Sequence, residues 1–159
     1  MSRQGKTKKR AILPDLRFGS ILVAKLINRA MREGKKSAAQ KQVYDALDII
    51  AKQTGQGSMT ILTAAMENIK PQMEIRPRRI GGAAYQVPMP VKGERRESLA
   101  ARWLIQYSRK RPNSQYHTFA EKLAAEILDA IKGEGGAVKK KQDVFRMAEA
   151  NKAFAHFRW

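Results

Sequence analysis

Apolar residues recur at intervals of three and four along most of this 159-residue chain. Ala39, Val43, Ala46, Leu47 and Ile50 show the spacing most clearly, and it is that of one buried helix face. Candidate N-caps, glycines and one proline divide the pattern into segments. The sequence therefore predicts six helices, at residues 20–34, 37–53, 58–70, 94–110, 118–133 and from about 142 onwards. Residues 133–141, GEGGAVKKK, are expected to form a flexible basic loop.

Residues 72–91 replace the helical spacing with a two-residue alternation. Apolar residues alternate with polar ones on both sides of Gly81 and Gly82, and two adjacent glycines supply the positive φ values of a tight reversal. Pro88 and Pro90 suit an edge strand, where a missing N–H costs nothing. The predicted fold is mainly α. It is a single domain, residues 1–159, of about six helices with one protruding two-stranded antiparallel β-ribbon at 72–91 and a solvated basic arm at 1–19.

Positive charge is concentrated in two stretches. The chain has 32 Lys and Arg against 14 Asp and Glu, a formal net charge of +18. Residues 1–36 hold 11 basic and 2 acidic groups, and residues 70–111 hold 11 and 3. Solubility alone would spread lysines more evenly, so we expect both blocks to fold onto one surface that binds a polyanion. The alternative is that they are solvated helix faces without a ligand.

The residues available for chemistry argue against an enzyme. There is no cysteine and there are two histidines, which excludes disulfides and zinc–thiolate sites, so we expect no metal and no cofactor. Gly34, Lys35 and Ser37 resemble part of a phosphate-binding loop, but Arg29 stands where that loop needs its first glycine. We expect no catalytic residue. The chain also shows no membrane span or signal peptide, so we expect no membrane partner.

The ribbon arginines favour RNA as the polyanion. Arg76, Arg78 and Arg79 place three guanidinium groups within four residues, and these groups suit phosphate oxygens and stack on bases. A helix face with Lys25, Arg29 and Arg32 and another with arginines at 95, 102 and 109 extend the basic surface. No DNA-reading motif is legible, whereas helix faces plus a ribbon suit irregular RNA. An architectural DNA-binding protein remains the alternative.

Three stretches of the chain closely resemble a known family. They are AILPDLRFGSILVAKLINRAMREGKKSAAQKQVYDAL, RRIGGAAYQVPMPV and AVKKKQDVFRMAEANKAFAHFRW, and together they span about residues 11–159. They resemble the bacterial and organellar family of small-subunit ribosomal protein seven. The resemblance implies a protein that binds the 3′ major domain of small-subunit ribosomal RNA, nucleates assembly of the subunit head and lies beside the exit site. Implied partners are neighbouring head proteins, platform protein eleven, and the transfer and messenger RNA of that site.

The resemblance also implies which residues touch RNA. Its ribosomal RNA contacts, carried over by position, are Lys8, Lys9, Arg10, Lys25, Arg29, Lys35, Lys36, Arg76, Arg78, Arg79, Arg95, Arg96 and Arg102. The parts that approach transfer and messenger RNA are Gly81 and Gly82 at the ribbon tip and Arg146 and Lys152 near the C-terminus. The implied location is the ribosome, in a bacterial cytoplasm or in an organelle.

One loop departs from the family pattern. The segment RPNSQYHT before the fifth helix is longer and more aromatic than the family's connection. Tyr116 and His117 either stack on a nucleobase or cover the end of a helix, and the second interpretation is favoured.

Overall fold

The computed structural model describes residues 11–158, and its elements follow the predicted order. They are α1 (Ile21–Ala30), α2 (Lys36–Thr54), α3 (Ser58–Ile69), β1 (Met73–Ile80), β2 (Ala83–Pro90), α4 (Glu94–Lys110), α5 (Phe119–Ile131), α6 (Gly136–Ala150) and a C-terminal 3₁₀ helix (Lys152–Phe157). The prediction of a mainly helical fold with one antiparallel hairpin is confirmed. No helix within residues 11–158 is long and apolar enough to cross a bilayer.

The helices share one hydrophobic core, with α5 at its centre. Helix α5 packs against α2, α3 and α4, while α1 closes the core between α2 and α4. Among the largest buried side chains are Leu47, Leu62, Leu104, Leu123 and Ile127, each at most 1 % exposed. The three-four spacing therefore marks the inward face of each helix, because residues at that spacing lie above one another on a single side.

Four of the six helices, α2 to α5, begin and end within two residues of their predicted bounds. Gly55, with φ of 66°, ends α2 in the left-handed conformation expected of a C-terminal glycine. At the start of α5, the Thr118 side chain accepts from the Glu121 N–H, and the Glu121 carboxylate accepts from the Thr118 N–H. This reciprocal pair is the capping box that the sequence predicts.

Helix α1 is shorter than predicted. It ends at Ala30, not near Gly34, and Arg32 therefore lies beyond the helix, so it does not share a helix flank with Lys25 and Arg29. The Ala30 carbonyl accepts a hydrogen bond of 2.6 Å from Nη2 of Arg109 on α4. A tertiary contact thus satisfies a carbonyl that a longer helix would have used internally, and no local pattern encodes it.

Helix α6 begins six residues earlier than predicted, so most of GEGGAVKKK is helix and not a flexible loop. The Ala137 N–H donates to Oε1 of the buried Glu126 at 2.8 Å. Gly136 lies against the Tyr107 ring, where an added Cβ would stand 2.3 Å from Cδ1. The acceptor, Glu126, and the ring of Tyr107 both belong to other helices. These tertiary contacts outweigh the weak helix propensity of the glycines.

Part of the basic arm is anchored to α2 through a buried acid. Oδ2 of Asp15, a residue that is 8 % exposed, accepts from the N–H groups of Arg17 and Phe18 at 3.1 and 3.2 Å. The Tyr44 hydroxyl on α2 donates to the other carboxylate oxygen at 2.7 Å, and Arg17 pairs with Asp48 at 2.8 Å. These bonds tie residues 15–18 to α2. The predicted contacts at Lys8, Lys9 and Arg10 lie outside the described residues.

The ribbon turns at Gly81 and Gly82, as predicted. Their φ values of 57° and 89° allow a two-residue reversal, with Ile80 paired to Ala83. Residues 73–76 of β1 and 87–89 of β2 are partly or fully buried, whereas residues 81–84 are exposed. The ribbon is therefore held at its base and projects at its tip.

The C-terminal 3₁₀ helix supports one face of the ribbon. The Tyr85 ring lies 5.2 Å from that of Phe154 and 5.6 Å from that of Phe157, measured between centroids. Helix α6 contacts both strands. A two-stranded hairpin is marginally stable in water on its own, so this aromatic contact supplies part of the support it needs.

Candidate nucleic-acid interface

Packing of α1 against α4 brings cations from both basic blocks of the sequence together. Nζ of Lys25 on α1 lies 2.8 Å from Oε2 of Glu97 on α4. One helical turn further along α1, Nη2 of Arg29 donates to the Ser98 hydroxyl at 3.2 Å. Arg102 is exposed one turn after Ser98 on the same side of α4. Cations that are about 70 residues apart in sequence therefore lie on one surface.

A buried carboxylate connects this surface to the base of the ribbon. Glu74 on β1 is 7 % exposed. Its carboxylate accepts from Nε of Arg95 on α4 at 2.9 and 2.7 Å, and from Nε of Arg76 on the same strand. One buried acid thus orients two arginines, whose side chains are 50 % and 44 % exposed. Both keep guanidinium surface available to solvent.

We call Lys25, Arg29, Arg76, Arg95 and Arg102 the basic strip. The hydrogen bond from Lys25 holds the pKa of Glu97 below its ordinary value, with a smaller contribution from the charge of Lys70. Glu97 therefore stays ionised and keeps Lys25 in place. Glu74 and Glu97 thus position cations of the strip. Such a strip can bind the phosphates of a nucleic acid.

The three ribbon arginines do not form one cluster. In the antiparallel register Arg76 pairs with Val87, Arg78 with Tyr85 and Arg79 with Ala84. Because side chains alternate between the two faces of a strand, Arg76 and Arg78 share the face of Tyr85, and Arg79 points to the other. A nucleic acid that contacts all three must therefore wrap the ribbon edge.

Three other predicted site residues lie on α4 and at the start of α2. Arg96 is half-buried, and its Nε donates to the Pro71 carbonyl at 3.1 Å, so it has a structural contact as well. Lys35 and Lys36 are exposed at the start of α2. Contact of any of these residues with RNA stays a prediction.

The residues predicted to approach transfer and messenger RNA lie on the ribbon and on the elements packed against it. Gly81 and Gly82 form the exposed tip, Arg146 is exposed on α6, and Lys152 is exposed at the start of the C-terminal 3₁₀ helix. Since α6 contacts both strands and the 3₁₀ helix contacts β2, the structure brings these elements together.

The atypical loop folds back on a buried ion cluster. Arg111 contacts Glu126 at 2.7 Å and also Asp129, and its guanidinium lies 5.5 Å from the Tyr116 ring centroid. Burial lowers the pKa of Arg111, but the hydrogen bonds to Asp129 and Glu126 outweigh burial and raise that pKa. Tyr116 thus lies over an ion cluster, while the His117 side chain is exposed, and the choice between the two interpretations of this loop stays a prediction.

Sequence reasoning interpreted Glu97 as a surface partner of the arginines around it, but it missed Glu74 and Ser98. Glu74 precedes the arginines in a strand that reads as half-buried, and Glu97 and Ser98 stand among the basic residues of α4. An acidic residue within a basic block, such as Glu74, is a signal that it pairs with a cation. Its partner Arg95 is 21 residues away, so the sequence does not identify it. Among residues 11–158 no group of three or more His, Cys, Asp or Glu could hold a metal ion.

One known protein family has a sequence model that covers most of the chain. The sequence model described as "Ribosomal protein S7p/S5e" matches residues 2–152. The chain belongs to this family. As a member of the S7p/S5e family it is a ribosomal protein, a component of a ribonucleoprotein that acts in translation, and not an enzyme. Its partners are ribosomal RNA and the ribosome.

Bacterial members of the family match the chain from end to end. The small ribosomal subunit protein uS7 of Caldicellulosiruptor bescii is 57% identical over 159 residues, which is 100% of both chains. The proteins of the same name from Carboxydothermus hydrogenoformans and Nitratidesulfovibrio vulgaris are 55% and 54% identical over 159 residues, again with 100% of both chains covered. The resemblance read from the sequence motifs is thereby confirmed.

Proposed function

We propose that the chain is a constituent of the small ribosomal subunit that binds the 3′ major domain of its ribosomal RNA and nucleates assembly of the subunit head. The observation that carries this proposal is the basic strip. It joins α1, the base of the ribbon and α4 through Glu97 and Glu74. The end-to-end similarity to proteins named uS7 of the small subunit supports the choice of subunit.

The strip and the ribbon together favour folded RNA over a straight duplex. Helix side chains on the strip and arginines on both ribbon faces present cations in different directions. A regular double helix cannot meet all of them at once, whereas an RNA junction with several helices can. The phosphate contacts supply affinity and orientation, and they read no particular base sequence.

The ribbon tip and C-terminal elements suit the neighbourhood of the exit site. Gly81, Gly82, Arg146 and Lys152 are exposed on elements that contact one another, and we propose that they approach transfer and messenger RNA. Neighbouring head proteins and platform protein eleven are the proposed protein contacts. The ribosome concerned belongs to a bacterial cytoplasm or to an organelle with its own ribosomes.

Binding across a salt series tests the proposal. We expect the protein to prefer a fragment of the 3′ major domain to duplex DNA of equal length at ~150 mM salt, near physiological ionic strength. Replacing Arg76, Arg78 and Arg79 together with Ala should lower the slope of log affinity against log salt by about 2 to 3, because each lost phosphate contact contributes about 0.7–0.9.

The matched control removes three exposed cations outside the strip. Lys41→Ala, Lys52→Ala and Lys132→Ala make the same change in net charge on α2 and at the end of α5. Circular dichroism should show intact helices in both triple variants, because Glu74 keeps Arg95 when Arg76 is lost. Equal affinity for DNA would favour the architectural DNA-binding alternative. Equal salt slopes for the two variants would show that the ribbon arginines do not contact the RNA.

A further inference from the structure

Glu74 is a buried acid inside a surface that is proposed to bind an anion. It is 7 % exposed, and its carboxylate accepts from Nε of Arg95 on α4 and from Nε of Arg76 on β1. From charge alone this acid should weaken RNA binding, because its carboxylate repels phosphate. Its burial and its two partners point to the opposite effect.

The bonds to Glu74 fix the inner end of each guanidinium group. Nε is the nitrogen nearest the aliphatic part of an arginine side chain, and its N–H is one of five donors on the planar group. A bond at Nε therefore orients the plane of the group, while the terminal nitrogens carry donors for a second acceptor. The side chains of Arg76 and Arg95 are 44 % and 50 % exposed, so a second acceptor can approach from solvent.

The same carboxylate joins two elements of the basic strip. Arg95 lies in the first turn of α4, and Arg76 lies in the ribbon. Arg96 adds a second connection, since its Nε donates to the Pro71 carbonyl just before β1 at 3.1 Å. The ribbon base is therefore fixed relative to α4 before a ligand binds. An arginine without such a partner would lose its rotamer freedom on binding, which costs about two- to tenfold in affinity per side chain.

We propose that Glu74 is a positioning residue for RNA binding, which holds Arg76 and Arg95 ready for adjacent backbone phosphates. The inference rests on the proposed function, since it concerns how the basic strip binds the same RNA. Glu74 itself touches no RNA and acts through the two arginines. The gain from ordering both arginines outweighs the repulsion between the carboxylate and phosphate, because the two guanidinium groups neutralise that carboxylate.

Glu74→Gln gives a result whose sign separates the two effects. The variant keeps the size of the side chain and makes the protein more positive, yet we expect its affinity for the 3′ major domain fragment to fall by about fivefold at ~150 mM salt. All basic side chains remain, so the slope of log affinity against log salt should stay within about 0.5 of its original value.

The control variant is Glu149→Gln, at an exposed position on α6. It makes the same change in net charge and should bind the RNA fragment at least as tightly as the unmodified protein. Affinity of Glu74→Gln equal to that of this control, or above it, would overturn the proposal.

Glu74→Asp tests the geometry at constant net charge. The side chain is shorter by one methylene, which bonds of 2.9 and 2.7 Å to Arg95 cannot absorb without a shift of the backbone. We expect a loss of about threefold in affinity, which long-range electrostatics would not produce. This variant keeps a carboxylate at the buried position, so it also serves if Glu74→Gln fails to fold. Unchanged affinity of folded Glu74→Asp would contradict the proposal.

A double-mutant cycle separates positioning from a purely structural role. In a protein that already carries Arg76→Ala and Arg95→Ala, Glu74→Gln should cost no further affinity, because the groups through which Glu74 acts are gone. If Glu74 only kept the ribbon folded, the change would still lower affinity through the displaced Arg79 on the other ribbon face. A loss in this background as large as in the unmodified protein would leave Glu74 a structural role alone.

Failure of this inference can be distinguished from failure of the proposed function. If the unmodified protein does not bind the RNA fragment, the proposed function falls, and the role of Glu74 falls with it. If the unmodified protein binds and the Glu74 variants bind as tightly, the basic strip stands and Glu74 is not its positioning residue.

Discussion

Removal of the Glu126 carboxylate should destabilise the protein through the start of α6. Glu126 is 2 % exposed, and its two oxygens accept from different segments of the chain. Oε1 accepts from the Ala137 N–H at 2.8 Å, and Oε2 accepts from Nε of Arg111 at 2.8 Å. Glu126→Ala would leave a buried N–H without its acceptor and a nearly buried arginine with Asp129 alone.

The size of the effect follows from these two losses. A buried donor without an acceptor costs about 1–3 kcal/mol, and breaking a buried ion pair costs about 3–5 kcal/mol. Arg111 keeps Asp129, whose side chain is 34% exposed, so the ion-pair loss should lie at or below the low end. We expect Glu126→Ala to reduce the free energy of unfolding by about 3–4 kcal/mol and Tm by about 6–16 °C.

Thermal and urea unfolding followed by circular dichroism would measure this loss. Glu126→Gln keeps the shape and one acceptor oxygen, so it should cost only about 1–2 kcal/mol. Glu149→Ala, an exposed site on α6, is the control and should stay within about 0.5 kcal/mol of the unmodified protein. Hydrogen exchange at the first turn of α6 should accelerate in Glu126→Ala. A loss of unfolding free energy no larger than that of the control would refute the argument that Glu126 stabilises the start of α6.

Two further predictions concern the ribbon and the capping box. Tyr85→Ala removes ring contacts with Phe154 and Phe157 that should contribute about 1.5 kcal/mol, so amide exchange in β1 and β2 should become about tenfold faster while helix content stays constant. Unchanged exchange would show that the 3₁₀ helix does not support the ribbon. Hydrogen bonds from the Thr118 and His117 N–H groups hold the pKa of Glu121 below its ordinary value of 4.5. Its contribution to stability should therefore be complete above about pH 4.5 and disappear as pH falls through the lowered pKa. Unfolding free energies of the protein and of Glu121→Gln from pH 7 to 3 would measure this, and a difference that grows toward low pH would contradict it.

Local patterns were sufficient for most of the secondary structure. Helix α4 has the bounds that its apolar spacing predicts, and the paired glycines at 81 and 82 form the expected turn. These features depend on residues within one or two turns of each other, and such short-range interactions can be read from a sequence directly. The family could be read as well, because its motifs extend over nearly the whole chain.

Contacts between distant segments decided the rest. The end of α1 depends on Arg109, the start of α6 depends on Glu126 and Tyr107, and the basic strip depends on Glu74. Arg109, Glu126 and Glu74 form hydrogen bonds to groups of other elements, and the Tyr107 ring leaves no room for a side chain at residue 136. Local spacing carries no information about such partners, because burial and hydrogen bonding become specific only after the helices pack. The charge of the two basic blocks could therefore be predicted from the sequence, while the placement of Lys25 and Arg29 beside α4 required the tertiary fold.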